Sequence, residues 1–271
     1  MKFKEMAILF IKGLSMGIAD IIPGVSGGTI ALITGIYERF ILAIKSIRPT
    51  RKIKTIDLGF LLPLAFGISM AFLAMSRLME YLLTSQGAFV YSFFFGLILA
   101  SAGFIYKQTG GLNPRYLVSG AMGFIFSFLL IGLGTLEASH SLPVLFGSGL
   151  IAICAMMLPG ISGAFILLML GQYEYMLSAL NALSYAEIAV FLAGGFVGLV
   201  TFSRVIAHLL KKYEKMTLIF LTGLMLGGLR LPYNKMAGGS IPLMAIFLVL
   251  GVVIVIVLEK KTKQMVQFSS K

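Results

Sequence analysis

The chain has 271 residues, 59% hydrophobic and only 12% charged, with a mean hydropathy of +1.00 and a net charge of +12. A soluble core of this length cannot hide so much apolar surface, so the composition points to a polytopic membrane protein and away from a soluble enzyme. The positive charge lies between apolar stretches, where it reads as topology signals and contact with anionic membrane lipids, with no nucleic-acid partner.

The N-terminal segment MKFKEMAILFIKG is basic and then apolar, without a small-residue cleavage site, and is expected to be retained. Apolar runs follow at 6–22, 25–44, 58–84, 87–106 and 115–136, then at 142–158, 161–183, 185–210, 215–231 and 240–258. The five-plus-five arrangement carries an internal echo. PGVSGGTIALITGIYE at 23–38 returns as PGISGAFILLMLGQYE at 159–174, an offset of 136. SRLMEYLL at 76–83 returns as SRVIAHLL at 203–210, and FFFGLILAS at 93–101 as FLTGLMLGG at 220–228, both at offset 127. The offset falls because the basic loop RPTRKIKTID (48–57) occurs only in the first half. Three echoes in one order indicate a duplicated architecture.

Parity and charge predict how the halves relate. If 6–44 and 142–183 are re-entrant hairpins, each half crosses the membrane an odd number of times and the second half is inverted. With the N-terminus inside, the basic segments 45–57, 107–115, 211–215 and the C-terminal tail then share the cytoplasmic face, leaving only Arg230 and Lys235 in outside loops. The expected fold is therefore an all-α polytopic integral membrane protein with two inverted-topology repeats, 1–136 and 142–258. Each repeat holds a re-entrant helical hairpin broken at PG-x-SG plus about three transmembrane helices, and 259–271 forms a basic cytoplasmic tail.

Backbone polar groups cannot be left bare in hydrocarbon, so broken helices persist there only around cavities or inside protein. Matching breaks in two halves are a pointer to a transporter's binding site. In the loops at 23–28 and 159–163, proline ends one helix and Ser26 or Ser162 can cap the next. Gly24, Gly27, Gly28, Gly160 and Gly163 leave its N–H groups accessible to an anion such as phosphate. The competing role for these breaks is plain kinking of packed helices.

Arg77 and Arg204 occupy equivalent positions inside apolar runs. Arginine there is costly without a partner or a wet cavity, and it suits bidentate phosphate contact; snorkelling to the interface is the alternative. Asp20 lies three residues before Pro23, and its repeat counterpart is Met156. An acid in only one half can bind a coupling proton or sodium ion, or simply hydrogen-bond a helix end. Glu38 and Glu174 recur after Tyr37 and Tyr173; they are further coupling candidates, or markers of interfacial helix ends. The run from Tyr91 to Phe95 is expected to face lipid.

Other chemistries lack their parts. One cysteine, Cys154, cannot form an intramolecular disulfide. His140 and His208 are too isolated in sequence for a metal pair or a phosphohistidine phosphatase, and there is no Walker A loop for ATP. The sequence thus predicts no metal site, no cofactor and no enzymatic activity.

GLSMGIADIIPGVSGGTIALITGIYE near the N-terminus, LPGISGAFILLMLGQYE in the middle and the two Ser-Arg helices resemble the PopT family of prokaryotic polyprenyl-phosphate transporters. The resemblance covers nearly the whole chain. It implies translocation of undecaprenyl phosphate or a related polyprenyl phosphate across the cytoplasmic membrane, for reuse of the carrier in cell-envelope glycan synthesis. It also implies that the family's re-entrant motifs fall at Pro23–Gly28 and Pro159–Gly163, and its helix arginines at Arg77 and Arg204. From the residues alone, an ion-coupled small-anion transporter of the same architecture remains open, as does a homodimer.

Overall fold

The computed structural model describes residues 3–21, 25–47, 56–109, 114–133 and 138–269. Pro23, Gly24 and most of the 48–57 loop lie outside these residues, as do the side chains of Arg77 and Glu80. Every regular element among the described residues is a helix. In the first half these are α1 (Phe3–Ile21), α2 (Gly27–Ile33), α3 (Tyr37–Lys45), α4 (Leu58–Gln108) and α5 (Pro114–Gly132). The second half holds α6 (Leu142–Met157), α7 (Gly163–Met169), α8 (Tyr173–Asn181), α9 (Tyr185–Lys212), α10 (Glu214–Gly228), α11 (Arg230–Lys235) and α12 (Ile241–Ser269). By length and apolarity, three described stretches can cross a bilayer: Ser85–Lys107, Tyr185–Lys212 and Glu214–Lys235. A fourth is added if the bent pair α2–α3 counts as one span.

Two apolar runs expected to be continuous are broken. The 25–44 run divides into α2 and α3, which meet at 118°. Gly35 sits between them at φ +70, where its N–H bonds the Leu32 carbonyl at 3.1 Å and the Ile36 N–H bonds that of Ala31 at 2.9 Å. This is a Schellman stop, which closes the last carbonyls of a helix around a left-handed glycine. The second half repeats it: Gly171 has φ +66, its N–H bonds Leu168, and the Gln172 N–H bonds Leu167. The glycines of TGIYE and LGQYE are therefore helix terminators inside apolar sequence. By contrast, the expected division between 58–84 and 87–106 coincides with a break in α4, where Gln86 leaves helical geometry (φ −135, ψ 28).

Packing follows the duplicated sequence. Helix α1 lies on the first limb of α4, and α6 lies on α9. Gly13 is pressed against the Leu64 carbonyl and Gly67 against that of Phe10. At the equivalent positions, Gly149 meets the Phe191 carbonyl and Gly194 that of Phe146. Small residues let backbones approach where lipid offers no hydrophobic drive for helices to associate. The remaining long helices exchange partners: α5 packs on α10 of the other half, and α12 packs on the second limb of α4. Here Gly123 meets the Phe220 carbonyl and Gly251 that of Phe93. Tyr91 and Phe94 are buried in the hydrophobic core and the Phe93 backbone is covered by α12 at Gly251, correcting the expectation that the aromatic run faces lipid.

Candidate functional site

Where α6 ends at Met157, its last carbonyls have no intrahelical donor. The first half supplies those donors. The Ser26 hydroxyl reaches the Leu158 carbonyl at 3.1 Å and lies 3.4 Å from that of Met156, while Tyr37 Oη donates to Met157 O at 3.0 Å. In return, the Gly160 N–H donates to Thr29 Oγ1 at 3.2 Å. Ser26 and Thr29 are fully buried. The two broken segments thus meet and satisfy each other's orphan backbone groups. Replacing Tyr37 with Phe leaves the buried Met157 carbonyl without its donor and is expected to cost about 1–3 kcal/mol. Ser26→Ala removes a cap as well and is expected to cost about 1–2 kcal/mol. Melting of each purified variant in detergent, beside the double variant, checks both losses and their coupling.

Both serines cap as the sequence predicts. Ser26 Oγ accepts from the Gly28 N–H at 3.1 Å, and Ser162 Oγ from the Phe165 N–H at 3.5 Å. The N–H groups at the start of α2, however, are not free. Asp20 Oδ1 accepts from the Gly27 N–H at 2.7 Å, so a carboxylate of the chain itself occupies the start of α2. Gly27 permits this, since any Cβ there would collide with Asp20 Oδ2. At the other end of α2, Lys12 Nζ donates to the Thr34 carbonyl at 2.7 Å. Acid at the N-terminus and base at the C-terminus complement the helix dipole. Helix α7 has neither partner at the equivalent positions, which are Met156 and Ser148.

Beside α7 lies a cavity of about 620 Å³. It is lined by the polar residues Asp20, Ser162 and Tyr173 with Gly163, and by apolar residues of α6 and α9 such as Ile153, Phe191 and Leu199. A few polar groups among long apolar walls suit an amphiphile. A second, more polar cavity of about 460 Å³ is lined by Glu38, Tyr37, Lys211 and Glu214.

The fold therefore brings together Asp20, Ser26, Gly27, Gly28, Gly160, Ser162 and Gly163. Gly24 lies outside the described residues. Arg77 is on α4, with its side chain likewise outside them. Arg204 is exposed on α9 and does not line the cavity. Glu38 and Glu174 are exposed on α3 and α8, and neither lines Asp20's cavity. Arg39 pairs with Asp57 at 2.9 Å and lies over the Phe60 ring. His140 stacks on Tyr175 at 3.9 Å and bonds Gln172, while Tyr175 Oη donates to Glu187 at 2.8 Å. Each polar set ties a helix after a broken segment to the start of the next long helix. Sequence reasoning missed Thr29 as a bridging residue because its repeat counterpart is Phe165. Tyr37 was signalled by its recurrence at Tyr173, but a side chain's partner cannot be read from recurrence.

Comparison with known proteins gives these features a context. Residues 16–242 match the family described as VCA0040-like, undecaprenyl phosphate translocase-like. A Vibrio cholerae protein named polyprenyl-phosphate transporter is 40% identical over 234 residues, covering 81% of this chain and 75% of its own length. A Staphylococcus aureus protein of the same name is 31% identical over 246 residues, covering 84% of this chain and 86% of its own. No solved structure matches. With its several apolar helices and these relatives, the chain is a multi-pass membrane protein. It belongs to the undecaprenyl phosphate translocase-like family.

Proposed function

We propose that the protein translocates a polyprenyl phosphate, undecaprenyl phosphate or a related carrier, across the cytoplasmic membrane so that the carrier is reused in cell-envelope glycan synthesis. The observation that carries this reading is the amphiphile-shaped cavity beside α7, in a chain whose relatives are named polyprenyl-phosphate transporters. The headgroup rests at the Ser162–Gly163 end, and the apolar walls receive the start of the prenyl chain. The halves 1–136 and 142–258 act as inverted repeats with re-entrant hairpins, and they rock about the interlocked loops at 23–28 and 159–163. Both termini and the 259–271 tail lie on the cytoplasmic side, as loop charge favours.

Asp20 takes the part of an internal anion. It saturates the start of α2, and it faces the cavity, where a coupling proton or sodium ion can neutralise it. Glu38 and Glu174 are secondary coupling candidates, being exposed and outside this cavity. Arg204 lies about 7.5 Å along α9 beyond Leu199 at 1.5 Å per residue. We assign it, with its counterpart Arg77, to the headgroup's passage to and from the surface.

The test uses purified protein in liposomes. Wild type is expected to move undecaprenyl phosphate between leaflets without taking up soluble phosphate. Uptake of inorganic phosphate without lipid movement would instead establish a small-anion transporter. Arg77→Ala and Arg204→Ala are each expected to lower headgroup affinity about tenfold or more, the value of a lost charged hydrogen bond. Unchanged affinity in both removes the arginines from the path. Met156→Asp places a carboxylate beside Gly163, as Asp20 stands beside Gly27, and is expected to abolish transport while the protein stays folded.

A further inference from the structure

The cavity opens to the outer surface. Its lining residues Ser162 and Gly163 are buried, whereas others are widely exposed: Tyr173 on α8 at 41% and, among the apolar ones, Phe72 on α4 at 42%, Leu192 at 61% and Phe196 at 53%, the last two on α9. Leu192, Gly195, Phe196 and Leu199 follow helical spacing, so they form one continuous stripe of α9 from the opening inwards. The stripe belongs to the outer surface of a long apolar helix, which in a bilayer meets acyl chains and not water.

The two rim residues of α9 are also not part of the duplicated scaffold. At the repeat offset, Leu192 and Phe196 correspond to Ala65 and Ser69, although their neighbour Gly194 is matched by Gly67. Bulky apolar residues thus stand at these two positions in the second half, where the first half has small ones.

Resting on the function proposed above, we propose that Phe72, Leu192 and Phe196 form a lateral portal through which the prenyl chain leaves the cavity for the bilayer. Size argues for this occupant. A cavity of about 620 Å³ lies in the range that encloses drug-sized ligands, so it holds a phosphate and the first isoprene units. An undecaprenyl chain exceeds that volume, and its remainder must emerge through an apolar opening. The portal is then a specificity element: it acts on ligands whose chain extends through it and ignores those that end inside.

Two measurements test this. In proteoliposomes, Leu192→Trp and Phe196→Trp, which crowd the rim, are expected to slow undecaprenyl phosphate movement about tenfold. Movement of geranyl phosphate, whose short chain stays within the cavity, should hold near the wild-type rate. Equal loss for both substrates, or loss for neither, overturns the portal. If wild type moves neither substrate, the proposed function fails first. The second measurement needs no substitution. Wild-type protein is photolabelled with an undecaprenyl phosphate analogue carrying a benzophenone partway along its chain. Labelling of peptides containing Phe72, Leu192 or Phe196, competed by unlabelled undecaprenyl phosphate, is the expected result. Labelling spread over the lipid-facing helices overturns the proposal. So does equal labelling of these peptides by a benzophenone phosphatidic acid, which would make the groove a site for ordinary bilayer lipid.

Discussion

Gly160→Ala is expected to unfold the centre of the protein. Gly160 has φ +85, in the left-handed region where an L side chain costs roughly 1–2 kcal/mol. A Cβ at this position would lie 2.6 Å from Met225 Cα and 2.8 Å from the Leu224 carbonyl oxygen, both backbone atoms of α10. Backbone cannot swing aside as a side chain can, so an overpacking penalty of about 1–3 kcal/mol adds to the strain. Displacing Gly160 also draws its N–H away from Thr29, one of the bonds that join the two broken segments. The combined loss of about 2–5 kcal/mol is a large share of an ordinary folding free energy. Gly238 supplies the comparison. Its φ is +90, but nothing lies within 4 Å of an added Cβ. Gly238→Ala should therefore show only the conformational cost, about 1–2 kcal/mol. The two melting curves, recorded in the same detergent, check the difference. Equal shifts would mean that contact with α10 does not matter.

Asp20 carries the second large effect, and two substitutions separate its two roles. Asp20→Ala leaves the Gly27 N–H in the interior without an acceptor, for an expected loss of about 1–3 kcal/mol. Asp20→Asn retains a carbonyl oxygen at the same place and should melt close to wild type. Asparagine cannot take up or release a proton in the working range, nor hold a cation by charge. If Asp20 couples transport to an ion gradient, Asp20→Asn will move polyprenyl phosphate at the same rate with or without an imposed proton or sodium gradient, while wild type responds to one of them. An Asp20→Asn variant that still responds to the gradient would confine Asp20 to capping α2. Wild type measured in parallel guards against a preparation that is simply inactive.

Much of this protein was legible in one dimension because bilayers impose strict rules. Apolar length announces the helices, since no other open structure satisfies its backbone in lipid. The duplicated PG-x-SG breaks and the serine caps could be read because local chemistry sets them: proline removes a donor, and a serine before the next helix replaces one.

Other features depend on what each segment meets in space. The Schellman stops at Gly35 and Gly171 lie within apolar sequence, where hydropathy alone cannot tell a terminated helix from a continuing one. Thr29 and Tyr37 gain their roles only because the end of α6 and the turn after it lie beside them, offering the Gly160 N–H to Thr29 and the Met157 carbonyl to Tyr37. Arg204 and Asp20 look alike in sequence, as single charges in apolar runs. Yet helix rotation turns Arg204 to the surface, while the close approach of α1 to α2 sets Asp20 on a backbone amide. The sequence by itself determined the membrane class, the duplication and the position of the breaks, because these follow from composition and local backbone chemistry. Only the tertiary structure decided that the first break is already filled by a carboxylate of the chain and that the cavity lies beside the second. Which donors remain free is a property of neighbouring segments in three dimensions.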